Sequence, residues 1–392
     1  MTPVGIVPAI VALLTAIATT SLISKRFGAP PVQGRSASID GLRGYLAFFV
    51  FLHHSSIWYF YLKTGQWNAP PSNLYNHFGE SSVAFFFMIT GFLFFSKLID
   101  GRTRNIDWGK LLISRFLRLV PLYFFIMIIF LVIVAMRSKG MLNEPPQYLM
   151  RNIVWWLGFT ILGSPNVNGI DHTYTIVAGV TWSLPYEWFF YFSLPLLALT
   201  VRVIPPVPYI ILGVASSVGL LLWHPLVYPL LSFIGGIAAS FIVRVIAFRQ
   251  FAASIVASLC ALGFIIAVVI AYPSAYGIVP LLLLSLAFSF IAAGNSMFGA
   301  LTHPVSRTLG EMAYSIYLLH GIILFIAFTL IIGKNQAMNL SPVTYWTVIV
   351  SLTPVLILTS FYTFRFIERP AMHSTTAVTA WLRSRLKSST LG

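Results

Sequence analysis

Eleven times between residues 4 and 366 the chain passes through a run of 16 to 24 mostly apolar residues. About 20 such residues in a helix cross a hydrocarbon layer about 30 Å thick. In that medium the backbone polar groups must be satisfied within the protein, which leaves helices and closed barrels as the spanning forms. Runs of this length predict helices, at 4–23, 42–62, 79–98, 117–136, 176–199, 208–223, 227–247, 251–272, 278–294, 312–332 and 344–366. The stretch Tyr148–Gly163 is also apolar, but it is short and holds Arg151 and Asn152, so it reads as an interfacial or re-entrant helix. The expected fold class is all-α, a polytopic membrane protein with about 11 transmembrane helices.

Composition closes the alternatives. Charged residues make up 8% of the 392, about a third of the share in an ordinary soluble domain, too few to cover a water-soluble surface. The net charge of +15 would suit nucleic acid if it formed one patch, but sorting it by loop explains it otherwise. With the segment after the first run placed inside, the inner segments hold 19 of the 24 Lys and Arg and the outer ones 5. Basic loops stay cytoplasmic, so the N-terminus is expected outside and the C-terminus in the cytosol, with the bilayer rather than nucleic acid as partner. The first run lacks a basic stretch before it and is followed by Lys25 and Arg26, which favours a retained anchor over a cleaved signal.

The longest segment between runs, 137–175, is too short for an appended soluble domain. The expected organisation is an N-terminal helix (1–30), a membrane domain (31–372) and a basic cytoplasmic tail (373–392). The single Cys260 excludes an internal disulfide and a thiolate metal cluster. No fixed-period repeat supports a transporter built from inverted repeats.

An ionisable group is costly in hydrocarbon, so each one within a run is a candidate for function. Asp40 is placed to cap the second helix at its cytoplasmic start, where the helix dipole favours a carboxylate. Arg43 and His54, eleven residues apart, share a helix face and are about 16 Å apart along the axis. Histidine is suited to general-base work, although an intramembrane histidine can equally do no more than bond a neighbouring helix. His53 points about 100° away from His54, and only one of them shares the face of Arg43. Arg115 and Arg118, at i and i+3, can clamp phosphate or simply anchor the fourth helix at the cytosol. Ser183 and Glu187 lie one turn apart on the fifth run, with Glu187 near its middle, and His320 follows Tyr314 and Ser315 on the tenth. Glu80 opens the third run, and Glu368 closes the last one, either as a functional carboxylate or paired with Arg365 or Arg369 before Pro370 ends the helix. No zinc pattern, phosphate-binding glycine loop or nucleophile elbow is present. On residues alone this is a membrane enzyme or a transporter.

These clusters, in this order, resemble the acyltransferase-3 family of integral membrane O-acyltransferases. The matching pieces are Arg43 with His54, the run Phe85–Phe92 containing Thr90-Gly91, and Arg115 and Arg118 leading to Pro121-Leu122-Tyr123. Trp182-Ser183-Leu184 followed by Glu187, Tyr314-Ser315-Ile316-Tyr317-Leu318-Leu319-His320, and Glu368 with Pro370 complete the set, over about residues 36–372. Thr90 stands where the family usually has serine and keeps the hydroxyl.

The resemblance implies a roughly ten-helix core, with the first helix as an addition. It implies transfer of an acyl group, acetyl before succinyl, from cytosolic acyl-CoA to a hydroxyl of a surface, lipid-linked or secreted glycan, in a bacterial inner membrane. Acyl-CoA would be a donor substrate, with no permanently bound cofactor and no metal. Arg115 and Arg118 would hold its phosphates. His54 would act as base or as acyl carrier, with Arg43 on the same face, and Glu187 or Glu80 would orient its ring or stabilise its charge. Asp40, Ser183, Tyr314, Ser315, His320 and Glu368 would support the site. Trp58, Tyr59, Trp67, Trp155 and Trp156 would stack on a sugar or form an interfacial belt. Lacking the hydrolase-like domain to which some members pass the acyl group, this chain would transfer directly or to a separate periplasmic or glycan-assembly protein. The competing reading is a glycan or carboxylic-acid transporter or flippase that forms no bond. A non-catalytic scaffold is the third.

Overall fold

The computed structural model describes residues 2–31 and 37–389. Arg35, counted above on the inner side, and Ser36, where the resemblance begins, lie outside the described residues, as does the end of the tail, 390–392. The chain is 77% helical, with no strand among the described residues. In order come α1 (Ile6–Phe27), α2 (Ala37–Thr64), α3 (Asn73–Asp100), α4 (Trp108–Arg137), α5 (Pro146–Leu157), α6 (Leu184–Thr200), α7 (Val207–Leu222), α8 (Val227–Ile242) and α9 (Ile246–Ala252). They are followed by α10 (Ile255–Ala271), α11 (Ile278–Ala292), α12 (Pro304–Glu311), α13 (Ala313–Phe325), α14 (Lys334–Ala337), α15 (Pro342–Thr363), α16 (Arg369–His373) and α17 (Thr375–Ser389).

Among the described residues, five helical stretches are long and apolar enough to cross a membrane, six if α8 and α9, bent by 106°, are taken as one. α7, α10 and α11 are shorter and equally apolar. Tyr148–Gly163 forms the short α5 followed by turns. α2 is 28 residues long but is diluted by Asp40, Arg43, His53, His54, Ser55 and Ser56.

Three expectations change. The run 176–199 is not one helix: Thr173–Val177 and Val180–Ser183 are 3₁₀ turns, and α6 starts only at Leu184. Ala178 and Gly179 between them have φ of 51° and 68°, which no helix accommodates. Glu187 therefore lies in the first turn of α6 rather than in the middle of a span. Asp40 is not the cap of α2 but lies in its first turn, where the dipole still favours a carboxylate; the capping position falls outside the described residues. The last helix does not end before Pro370. It passes through a π-helical turn, Phe364–Glu368, into α16, the turn widening just where proline withdraws its N–H. The described part of the tail forms the helix α17.

The helices form two compact units, interleaved along the chain. Unit 1 comprises Met1–Ser96, Thr175–Ser183 and Leu226–Ser360; unit 2 comprises Lys97–Tyr174, Leu184–Pro225 and Phe361–Gly392. In unit 1, α2 packs on α12 and α13, and α11 on α8 and α10. The approach of α12 to α2 is close enough that a Cβ on Gly310 would collide with the Asp40 carbonyl. α1 is fastened at both ends: Trp346 Nε1 donates to Pro3 O at 3.0 Å, Tyr75 OH to Gly5 O at 3.0 Å, and Arg307 to Pro30 O.

In unit 2, α4 packs on α5, α16 and α17, and α6 on α7. The segment between α4 and α6 folds around Glu144, whose carboxylate accepts from Asn168 N (2.7 Å) and Asn152 Nδ2 (3.3 Å). Tyr123 OH closes it onto Trp156 O at 2.5 Å.

Candidate active site

The centre of α2 places two consecutive histidines inside unit 1, and α13 adds a third. A helix interior offers a histidine the carbonyl four residues back: His54 Nδ1 lies 3.1 Å from Val50 O, and His320 Nδ1 3.0 Å from Ile316 O. The two rings also meet, His320 Nε2 being 3.0 Å from His54 Nδ1. His53 lies beside them, its ring centroid 5.0 Å from that of His54, and its Nδ1 is 2.7 Å from Tyr75 O on α3. A carbonyl only accepts, so His53 carries its proton on Nδ1 and has a bare Nε2. α3 comes this close because residue 79 is glycine: a Cβ there would stand 2.5 Å from His53 Cδ2. Trp67, from the α2–α3 connection, lies nearly parallel to His54 with centroids 6.3 Å apart, and edge-on to Trp58 at 5.5 Å.

α13 is held in register by the 3₁₀ segment. Tyr317 OH donates to Val180 O at 3.0 Å and meets Ser183 Oγ at 2.8 Å. Gly321 lies flat against that segment, leaving no room for a Cβ against the carbonyl carbon of Val177. Irregular backbone of this kind survives among apolar helices only where protein covers it or it lines a cavity, and here the backbone at Val177 and Ala178 is buried on α13.

The remaining expected residues fall as follows. Arg43 is half-buried on α2, and Tyr314 and Ser315 are buried at the start of α13. Glu80 secures a loop: its Oε2 accepts from Ala275 N at 2.8 Å and Ser274 Oγ at 2.5 Å, while the neighbouring His77 bonds Tyr272 O at 2.8 Å. In unit 2, Glu187 Oε1 accepts from Tyr191 OH at 2.8 Å, and Glu368 is fully buried. Arg115 Nε reaches Ser114 Oγ at 3.4 Å. Arg118 is unusual: Nη1 points at the Met372 sulfur at 3.0 Å, and Nη2 is buried with no hydrogen-bond partner among the described residues. A guanidinium so poorly matched within the protein is suited to an incoming anion. Among the described residues no group of three or more His, Cys, Asp or Glu is arranged to hold a metal ion.

Ser183 and Tyr317, quoted above in separate motifs, thus bond each other, and His54 meets His320. Gly79 and the carbonyls of Val50, Tyr75 and Ile316 were not foreseen. Backbone acceptors leave no trace in residue identity, and Gly79 stands out only as the residue before Glu80.

Unit 1 thus holds a cluster of imidazoles bonded to backbone carbonyls within apolar helices, and unit 2, taken by itself, holds the cationic pair Arg115 and Arg118 on α4. The acyltransferase-3 family model, described as an acyltransferase domain, matches residues 36–365, and the chain belongs to that family. α1, α16 and α17 lie outside the match. Comparison with curated proteins and with solved structures returned no match.

Proposed function

We propose that the protein is an O-acyltransferase of a bacterial inner membrane, moving an acetyl group from cytosolic acetyl-CoA to a glycan hydroxyl, with its N-terminus outside and its C-terminus in the cytosol. The orientation rests on the distribution of Lys and Arg. The reaction rests on one observation above all: Val50 O and Ile316 O lie 3.1 and 3.0 Å from the Nδ1 atoms of His54 and His320, and since a carbonyl only accepts, this favours protons on both Nδ1 atoms and a lone pair on His54 Nε2.

His54 Nε2 takes the proton of the sugar hydroxyl as its oxygen attacks the thioester carbonyl. A C–O bond forms, the C–S bond breaks, and the departing thiolate receives that proton from His54. This route needs no acyl-enzyme intermediate. Arg115 and Arg118 bind the phosphates of the donor, where the unmatched Nη2 of Arg118 supplies a ready contact. Arg43, about 16 Å from His54 along α2, adds positive charge on the donor side.

Mass spectrometry of surface and secreted glycans from cells with and without the gene tests this reading. Loss of about one acyl mass per repeat, with the polymer retained, is the expected result. Loss of the whole polymer would mark a transporter and overturn it.

A further inference from the structure

We infer that His320 is a positioning residue for the reacting histidine: a neutral imidazole that takes the place a carboxylate holds behind the histidine of a serine-hydrolase triad. The inference rests on the acyl-transfer reading of His54 and gives that site its second ring.

Hydrogen-bond bookkeeping assigns the tautomers. Ile316 O, 3.0 Å from His320 Nδ1, can only accept, so the proton of His320 is on Nδ1 and its Nε2 is a bare acceptor. That acceptor faces His54 Nδ1 at 3.0 Å, and Val50 O faces the same nitrogen at 3.1 Å. Two acceptors on one nitrogen require its hydrogen, shared between them. The opposite assignment, with His320 donating from Nε2, leaves both His320 Nδ1 and His54 Nδ1 as lone pairs against carbonyl oxygens. Three contacts are satisfied in the first arrangement and only one in the second.

The consequence is chemical. When His54 accepts a proton on Nε2 it becomes an imidazolium, and its Nδ1–H bond to His320 turns from neutral to charge-assisted, which roughly doubles its strength. His320 is fully buried, with the rings of Tyr317 and Phe51 at 6.1 and 6.4 Å, so little solvent screens that gain. The Nδ1 proton stays on His54 throughout, as in the triad, where the third residue orients and stabilises but does not take the proton. A neutral partner also avoids burying a permanent carboxylate among apolar helices. The surroundings are built to hold His320 still: Tyr317, one turn earlier, is pinned by Val180 O and Ser183, and Gly321, the next residue, is pressed against Val177.

Two measurements test this. In bilayers, ¹⁵N solid-state NMR of histidine-labelled protein without substrate should show His54 protonated on Nδ1 and bare on Nε2, with a coupling across the Nδ1–H···Nε2 bond to His320. An Nε2-protonated His54, or no coupling, overturns the inference whatever the protein catalyses. In turnover, His320→Gln keeps an acceptor near the position of Nε2 and should stay within about tenfold of wild-type kcat. His320→Leu removes the acceptor and should lose about a hundredfold in kcat with the KM for acyl-CoA unchanged. Equal rates for the two variants overturn it, and if the leucine variant does not fold, the wild-type spectrum decides. A coupled pair in a protein that transfers no acyl group would instead refute the proposed function.

Discussion

A polar side chain among apolar helices is informative through what it leaves unsatisfied. His77 through Nε2 and Glu80 through Oε2 bond the loop at 272–275, while His77 Nδ1 meets Ser81 Oγ on its own helix, and both residues read as fasteners. Arg118 Nη2, by contrast, is buried with no hydrogen-bond partner among the described residues, and the proposed function gives it and His54 Nε2 to the substrates. Arg118→Ala removes a charged contact worth about 1.5–3 kcal/mol. The expected result is a rise of tenfold to a hundredfold in the KM for acyl-CoA with kcat nearly unchanged; an unchanged KM returns Arg118 to a role in anchoring α4. Gly79→Ala places a methyl 2.5 Å from the His53 ring. Overpacking of this kind costs about 1–3 kcal/mol, so a lower melting temperature and lower activity are expected together. Single residues of this site were legible because the chain is so poor in charge that each stands out. The meeting of His54 with His320 was not, since contact between residues 266 apart has no signature in a single sequence.

The elements show where reading by hydropathy succeeds and where it fails. Apolar counting locates α1, α3, α4 and α15 well, because a run long enough to span has only the helix open to it. It merges the 3₁₀ segment with α6, because Ile176, Val177 and Val180 are as apolar as any helix residue. The break depends on two residues in left-handed conformation, Ala178 and Gly179, which hydropathy does not register. Counting charge likewise finds the basic tail but not its helix, which docks on α4 through Arg383 and Asp107 at 2.5 Å. Asp107 also caps α4, its Oδ1 accepting from Lys110 N at 3.0 Å. Partial burial raises the Asp107 pKa, but the bonds from Lys110 N–H and Arg383 outweigh it and bring it below its ordinary 3.8. A lowered carboxylate pKa stabilises at pH above the ordinary value and is lost as pH falls through the lowered one. Proteolysis of α17 should therefore be flat from neutral pH to about 4 and accelerate only below the ordinary carboxylate range. Asp107→Asn, which keeps a good capping residue but loses the charge, should be cut faster already at neutral pH. Equal cleavage of this variant and wild type would remove the ion pair from the account.

At the scale of the whole molecule, the helices form two compact units that are interleaved along the chain. α1, although outside the family match, is built into unit 1, and its first carbonyls are the acceptors of Tyr75 OH and Trp346 Nε1. Tyr75 in turn holds His53 through its own carbonyl. Deleting residues 2–31 removes the acceptors of three buried donors, Tyr75 OH, Trp346 Nε1 and the Arg307 guanidinium, at about 1–3 kcal/mol each. A clear drop in the melting temperature of unit 1 is expected; an unchanged melt would make α1 a detachable anchor. The central claim concerns the other end of the same network, that His54 performs acyl transfer. The direct measurement is on sealed inner-membrane vesicles with the cytosolic face outward, supplied with isotopically labelled acetyl-CoA, with the label in the glycan read by mass spectrometry. Wild type should incorporate it, and His54→Ala, present in the membrane at equal amount, should fall at least a hundredfold. Full incorporation by His54→Ala would contradict the account.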